Sequence, residues 1–150
     1  ETFSLTKNRM EIIELKNGIK LINDAYNSSV ESVKASLAYM NHMKANRRIA
    51  VLGDILETGE FALPLHKEIG KIVCENQVDM LICSGENAKY IVESAKENGF
   101  GEKNIYYFEN KEEIVELLKQ IIQAEDIILF KASNGMRFFD IAEKIKIELK

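Results

Sequence analysis

The stretch Arg48-Ile49-Ala50-Val51-Leu52-Gly53-Asp54 runs through consecutive apolar residues straight into a glycine and a carboxylate, the profile of a short strand that ends in a polar turn. Working outward, similar runs occur at Met10 to Leu15, Ile19 to Asn23, Met80 to Ser84, Ile105 to Phe108 and Ile127 to Phe130. About six strands are expected. Between them, apolar residues recur at helical spacing: Val30, Val33, Leu37 and Met40; Leu65, Ile69, Ile72 and Val73; Ala88, Ile91, Val92 and Ala95. The same spacing returns at Ile114, Leu117, Leu118, Ile121 and Ile122, with Asn110 and Glu113 in capping-box register, and at Phe138, Ala142, Ile145 and Leu149. Short strands alternating with amphipathic helices predict an α/β fold whose strands are mostly parallel. Asn17-Gly18 suits the positive φ angles of a tight hairpin, which makes the first strand an antiparallel edge at the N-terminal side.

Composition narrows the function classes. With 150 residues, 46% of them hydrophobic, the chain can bury one core but not two, so 1–150 is read as a single domain. The formal net charge is -4 and the charges are interleaved, leaving no basic stripe for a nucleic-acid backbone. Apolar runs such as Asp126 to Phe130 are too short for a bilayer span, and no secretion signal opens the chain, so membrane insertion is not expected and a cytoplasmic location is. Cys74 and Cys83 lack the paired spacing of a zinc or redox site and are expected to be buried free thiols. The chain opens at Glu1 in mid-pattern, as a piece of a longer polypeptide would.

In an open parallel sheet the loops beyond the strands' carboxyl ends line one crevice. Four loops qualify: Asp24 to Ser29, Gly53-Asp54, Ser84 to Asn87 and Lys131 to Gly135. Together they offer carboxylates, an aromatic ring, side-chain amides and a lysine, which suits a nucleotide-like ligand. The blander reading is that Asp24, Asn27, Ser28 and Ser29 turn the chain and cap a helix. Asp54, Glu57 and Glu60 precede a helix, where carboxylates are favourable without any metal, and no metal site is assigned. His66 has no second histidine in ligand spacing and is expected at the surface. No G-x-G-x-x-G and no G-x-x-x-x-G-K-[ST] segment occurs, so the chain alone should not hydrolyse ATP.

Three segments carry a family resemblance. Asp24-Ala25-Tyr26-Asn27 resembles the D-A-Y-N-A-N-P segment of Mur ligases of the MurF type. Arg48 to Glu60 is similar to that family's R-x-I-A-V-L-G-D-M-L-E-L-G-E run, with His66 following at similar distance, and Lys131 to Met136 is similar to K-G-S-R-G-M. Arg9-Met10-Glu11 resembles the opening of the same region. The resemblance implies a Rossmann-like, three-layer αβα C-terminal domain. The N-terminal domain for the UDP sugar and the central P-loop ATPase domain would then lie outside this chain.

The implied activity is the ATP-dependent joining of D-alanyl-D-alanine to UDP-N-acetylmuramoyl-tripeptide in peptidoglycan synthesis, through an acyl phosphate. ATP and magnesium would be bound mainly by the central domain, and the isolated domain would be inactive. By the same resemblance, Asp24, Tyr26 and Asn27 would meet ATP, while Lys131, Ser133 and Asn134 would face the incoming amino acid. Glu57 and His66 are catalytic candidates without assigned roles. Departures from the pattern touch these sites: Ser28, Ser29 and Val30 stand for A-N-P, Ala132 for a glycine, and Asn134 for an arginine. Losing that arginine removes a bidentate anion partner, and the Ala132 methyl would narrow backbone approach.

Two alternatives accompany this reading. A folylpolyglutamate or cyanophycin synthetase would share the acyl-phosphate chemistry, but the Asp24 to Asn27 and Leu52 to Glu60 segments favour the MurF type. A receiver-like phosphoacceptor module would use Asp24, Asp54, Ser84 and Lys131. The N-terminal hairpin and the single helix between the strands bearing Asp24 and Asp54 count against it.

Overall fold

The computed structural model describes residues 8–149. Its elements are β1 (Glu11–Glu14), β2 (Lys20–Asn23), α1 (Val30–Asn41), β3 (Arg48–Gly53), α2 (Ala62–Cys74), β4 (Met80–Ser84), α3 (Ala88–Glu97), β5 (Ile105–Phe108), α4 (Glu112–Ile121), β6 (Ile127–Lys131) and α5 (Phe139–Glu148). The six strands form one sheet in the order β1-β2-β6-β3-β4-β5. Every neighbouring pair is parallel except β1 with β2, so the fold class and the antiparallel edge are as the sequence predicts. Asn17 and Gly18 take φ values of 60 and 73, the left-handed pair that the hairpin requires, although they sit in a short 3-10 turn rather than a two-residue loop.

Helices cover both faces. Val33, Leu37 and Met40 of α1, Ile69 and Val73 of α2, and Ile91 and Ala95 of α3 pack with Ile22, Ala50, Leu52 and Leu81 on one side of the sheet. Ile114 and Leu118 of α4 and Ile141 and Ile145 of α5 pack with Leu21, Val51, Ile82 and Phe130 on the other. The alternation along β2 and β3 sends successive side chains to opposite layers, both apolar, which is why these strands read as continuous hydrophobic runs. Gly70 lets α2 and α3 touch: a Cβ there would stand 2.6 Å from the Ile91 carbonyl oxygen. Pro64 falls in the first turn of α2, where its missing N–H leaves no ladder bond unmade.

Helix entry differs from expectation at α4. The N-cap is Lys111, which makes no side-chain cap bond; Asn110, one residue earlier, accepts from the Glu112 N–H at 2.9 Å through its Oδ1, a local turn rather than the expected box with Glu113. The reciprocal box is instead at α1, between Ser29 and Ser32. No helix among the described residues is long and apolar enough to cross a membrane.

Candidate functional site

The parallel order β2-β6-β3-β4 aligns four strand ends at one rim: Asn23 lies beside Phe130, Leu52 beside Lys131, and Gly53 beside Ser84. The segments that follow therefore meet. Asp24 leaves β2 on the α1 side, buried at 7% exposure. Its Oδ2 accepts from Lys131 Nζ at 2.9 Å and from the Ser36 hydroxyl of α1, and its Oδ1 accepts from the Met10 N–H at 3.1 Å. Lys131 is 3% exposed and also donates to the Asn27 carbonyl at 3.0 Å. A buried ammonium and carboxylate repay their desolvation only when further hydrogen bonds support them, and here Asn27 supports the ammonium while Ser36 and Met10 support the carboxylate. The pair ties the loop after β2 to the end of β6.

A second set of bonds continues along the rim. The Ser133 N–H donates to the Asp54 carbonyl at 2.9 Å, and Ser133 Oγ accepts from the Leu56 N–H at 2.8 Å. The Asp54 carboxylate, 4% exposed, reaches the start of α3 and accepts from the Asn87 and Ala88 N–H groups at 3.1 and 2.7 Å. A carboxylate at these orphan donors satisfies them and meets the positive end of the helix dipole. Gly85, at φ +130, makes room for it, since a Cβ there would collide with the Asp54 carboxylate. Burial first, and the Asp54 charge second, push the neighbouring Cys83 thiol far above its ordinary range. Cys74 is only partly buried, so one of the two expected buried thiols is half open.

Beside Asp24 and Lys131 lies a cleft of about 510 Å³, lined among others by Arg9, Met10, Asn27, Ser29, Ser32 and Tyr39. Arg9 stacks over the Tyr26 ring at 4.1 Å from its centroid. Tyr26 thus offers only its other face, while Arg9 places a cation at the cleft edge. Asn27 is exposed, with its Oδ1 accepting from the Ser28 N–H at 2.8 Å.

Asp24, Asn27 and Lys131 accordingly share one cleft, whereas Ser133 and Asn134 lie on the adjoining turn and do not line it. Asn134 is exposed. The Ala132 methyl, expected to narrow the crevice, is fully buried against Gly53 and Phe138 on the α5 side, so it fills core rather than site. Glu57 is exposed at φ +60. His66 corrects the surface expectation: it is 0% exposed, because its ring turns inward with Ile69, Gly70 and Val73 to meet the loop after β3. Arg9 and Ser36 were not singled out as site residues. Ser36 sits three residues after Val33 and four before Met40, on the apolar stripe of α1, and a hydroxyl on such a stripe is the signal that it bonds something buried.

Among the described residues no three His, Cys, Asp or Glu side chains converge, and the two buried rim carboxylates are engaged by Lys131 and by α3. The described residues alone do not make a magnesium site, and the Asp54 carboxylate is occupied by the N–H groups of Asn87 and Ala88 rather than open as a phosphoacceptor.

Residues 8–134 match the family described as Mur ligase, glutamate ligase domain. The chain is 31% identical over 142 residues to the UDP-N-acetylmuramoyl-tripeptide–D-alanyl-D-alanine ligase of Bacillus subtilis (strain 168), covering 94% of this chain and 31% of that protein. Among solved structures it is similar to the MurF ligase from Thermotoga maritima in complex with ADP, with TM-score 0.80 and 25% identity over 99% of this chain and 32% of that one. A MurF structure from Acinetobacter baumannii shares the fold at TM-score 0.82 and 23% identity, over 97% of this chain and 31% of that one. The chain spans about a third of the length of the relatives it matches. With that match running from the Asn8 segment through the Lys131 loop, the chain belongs to the Mur ligase family, as its glutamate ligase domain.

Proposed function

We propose that the chain is the C-terminal domain of a three-domain, ATP-dependent amide ligase that adds D-alanyl-D-alanine to UDP-N-acetylmuramoyl-tripeptide in the cytoplasm. The observation that carries this reading is the rim cleft, in which Asp24, Asn27, Arg9 and Lys131 meet in a chain of this family. In the reaction the tripeptide carboxylate takes the γ-phosphoryl group of ATP and ADP leaves. The amine of the dipeptide then attacks the acyl carbon, and the tetrahedral intermediate expels phosphate while the amine loses its proton. The N-terminal domain would hold the UDP sugar, and the central P-loop domain would hold the triphosphate and magnesium. The described residues supply no ligand set for the metal.

On this chain the nucleotide side is assigned to Asp24, Tyr26 and Asn27. Asp24 keeps one acceptor position beyond its three bonds, Tyr26 keeps one ring face, and Asn27 keeps its amide nitrogen. Arg9 adds a cation suited to a phosphate. The incoming amino acid is assigned to the loop Lys131 to Asn134: Asn134 exposes an amide, Ser133 retains a hydroxyl hydrogen, and Lys131, paired with Asp24, anchors the start of the loop. Glu57 is retained as a candidate on the same rim.

The test is made in the longer ligase. ADP release should require both the UDP-linked tripeptide and D-alanyl-D-alanine, and Arg9→Ala should raise the KM for ATP by about tenfold, the ordinary worth of one charge-assisted contact. Release driven equally by glutamate and a folate would favour the folylpolyglutamate alternative. The 150-residue chain alone is expected to release none.

A further inference from the structure

We propose that His66 is a positioning residue, a neutral imidazole that holds the loop after β3 in one conformation rather than a group that exchanges protons with substrate. The geometry fixes its tautomer. The Ile55 N–H is a donor and lies 3.0 Å from Nε2, so Nε2 must accept; the proton is then on Nδ1, which donates to the Ala62 carbonyl at 2.6 Å. Both ring nitrogens are committed to backbone, and the ring is fully buried. No substrate atom can reach a nitrogen without dismantling the contact.

The bond falls where the loop most needs it. Ile55 and Leu56 are consecutive residues that follow the end of β3, so their N–H groups have no strand partner. His66 takes the first and Ser133 Oγ takes the second at 2.8 Å. An unpaired N–H beside the buried Ile55 side chain would be costly, which is the physical demand that the imidazole meets. The next residue, Glu57, is held at φ +60, a conformation that a non-glycine residue keeps only when its surroundings over-determine it. His66 on α2 and Ser133 beyond β6 thus grip the loop from two elements. Displayed beyond that grip is Glu57, at the rim that carries the proposed substrate groups.

The role in catalysis rests on the proposed ligase reading; the clamp does not. The two are separated by measuring each on its own. In the 150-residue chain, nitrogen NMR of the imidazole should show a protonated Nδ1 and a bare Nε2. His66→Phe should speed amide exchange at Ile55 by about tenfold, the worth of one net hydrogen bond, while Leu56 stays protected through Ser133. His66→Gln places an acceptor oxygen near the Nε2 position and should restore protection at Ile55. In the longer ligase, His66→Gln should keep the wild-type pH profile of kcat, whereas His66→Phe should lower kcat without moving either limb. A protonated Nε2, or unchanged Ile55 exchange in a folded His66→Phe chain, overturns the clamp. Loss of a pH limb in His66→Gln overturns the positioning role and makes the imidazole an acid or base.

Discussion

Replacing Lys131 with methionine keeps much of the side-chain volume but removes the ammonium from a pair that is 3% and 10% exposed on its two sides. Removing one member of a buried pair costs about 3–5 kcal/mol, chiefly because the other charge is left without compensation. Asp24 would retain the Ser36 hydroxyl and the Met10 N–H, which sets the expected loss at the low end, about 3 kcal/mol. For a chain of this size that lowers Tm by roughly 6–12 °C. Asp24→Asn should cost a similar amount, since the ammonium would then face only the Asp24 and Asn27 carbonyls and a neutral amide. The double variant should lose about as much as either single one, giving a coupling energy of about 2–3 kcal/mol in a denaturant double-mutant cycle at neutral pH. A coupling near zero, with each single change within about 0.5 kcal/mol, would mean that water screens the pair as it does at a surface, and the shared wall of the cleft would not be rigid.

Three further outcomes follow from the packing. Gly70→Ala should lower the urea midpoint despite alanine's better helix propensity, because overpacking costs about 1–3 kcal/mol and the added carbon meets Ile91 and Ser94 at 2.6 Å. Gly85→Ala should displace the Asp54 carboxylate from α3 and cost about 1–2 kcal/mol, read as faster amide exchange at Asn87 and Ala88 with little change at α5. In native protein at pH 8 a thiol reagent should modify Cys74 slowly and Cys83 not at all, since burial raises both thiols and seals only the second; denaturant should expose both.

Most of the fold was legible because both layers are apolar. Strands such as Ile127 to Lys131 read as unbroken runs, and helices such as α4 repeat at 3.6 residues, so pattern alone separates them. What pattern does not carry is the partner of a polar side chain. His66 was placed at the surface because no second histidine stands in ligand spacing to it, yet its spacing to Ile69, Gly70 and Val73 put it on the buried face. Asp24 and Lys131 were both picked out, but their sequence separation of 107 residues hid the fact that they bind each other. The Ala132 methyl went to the same core layer as Phe130, because the side-to-side alternation of β6 carries on one residue past its end.

The last strand in the chain, β6, lies between β2 and β3, so it supplies the ladder that joins the hairpin half of the sheet to the rest. A nascent chain that has emerged only as far as α4 carries two unsatisfied edges where β6 will insert. Productive assembly must therefore wait until Ile127–Lys131 has emerged, and non-local pairing of this kind is slow and exposed to misassociation. Fragments that stop short of Asp126 should be recovered as aggregates rather than as smaller native units.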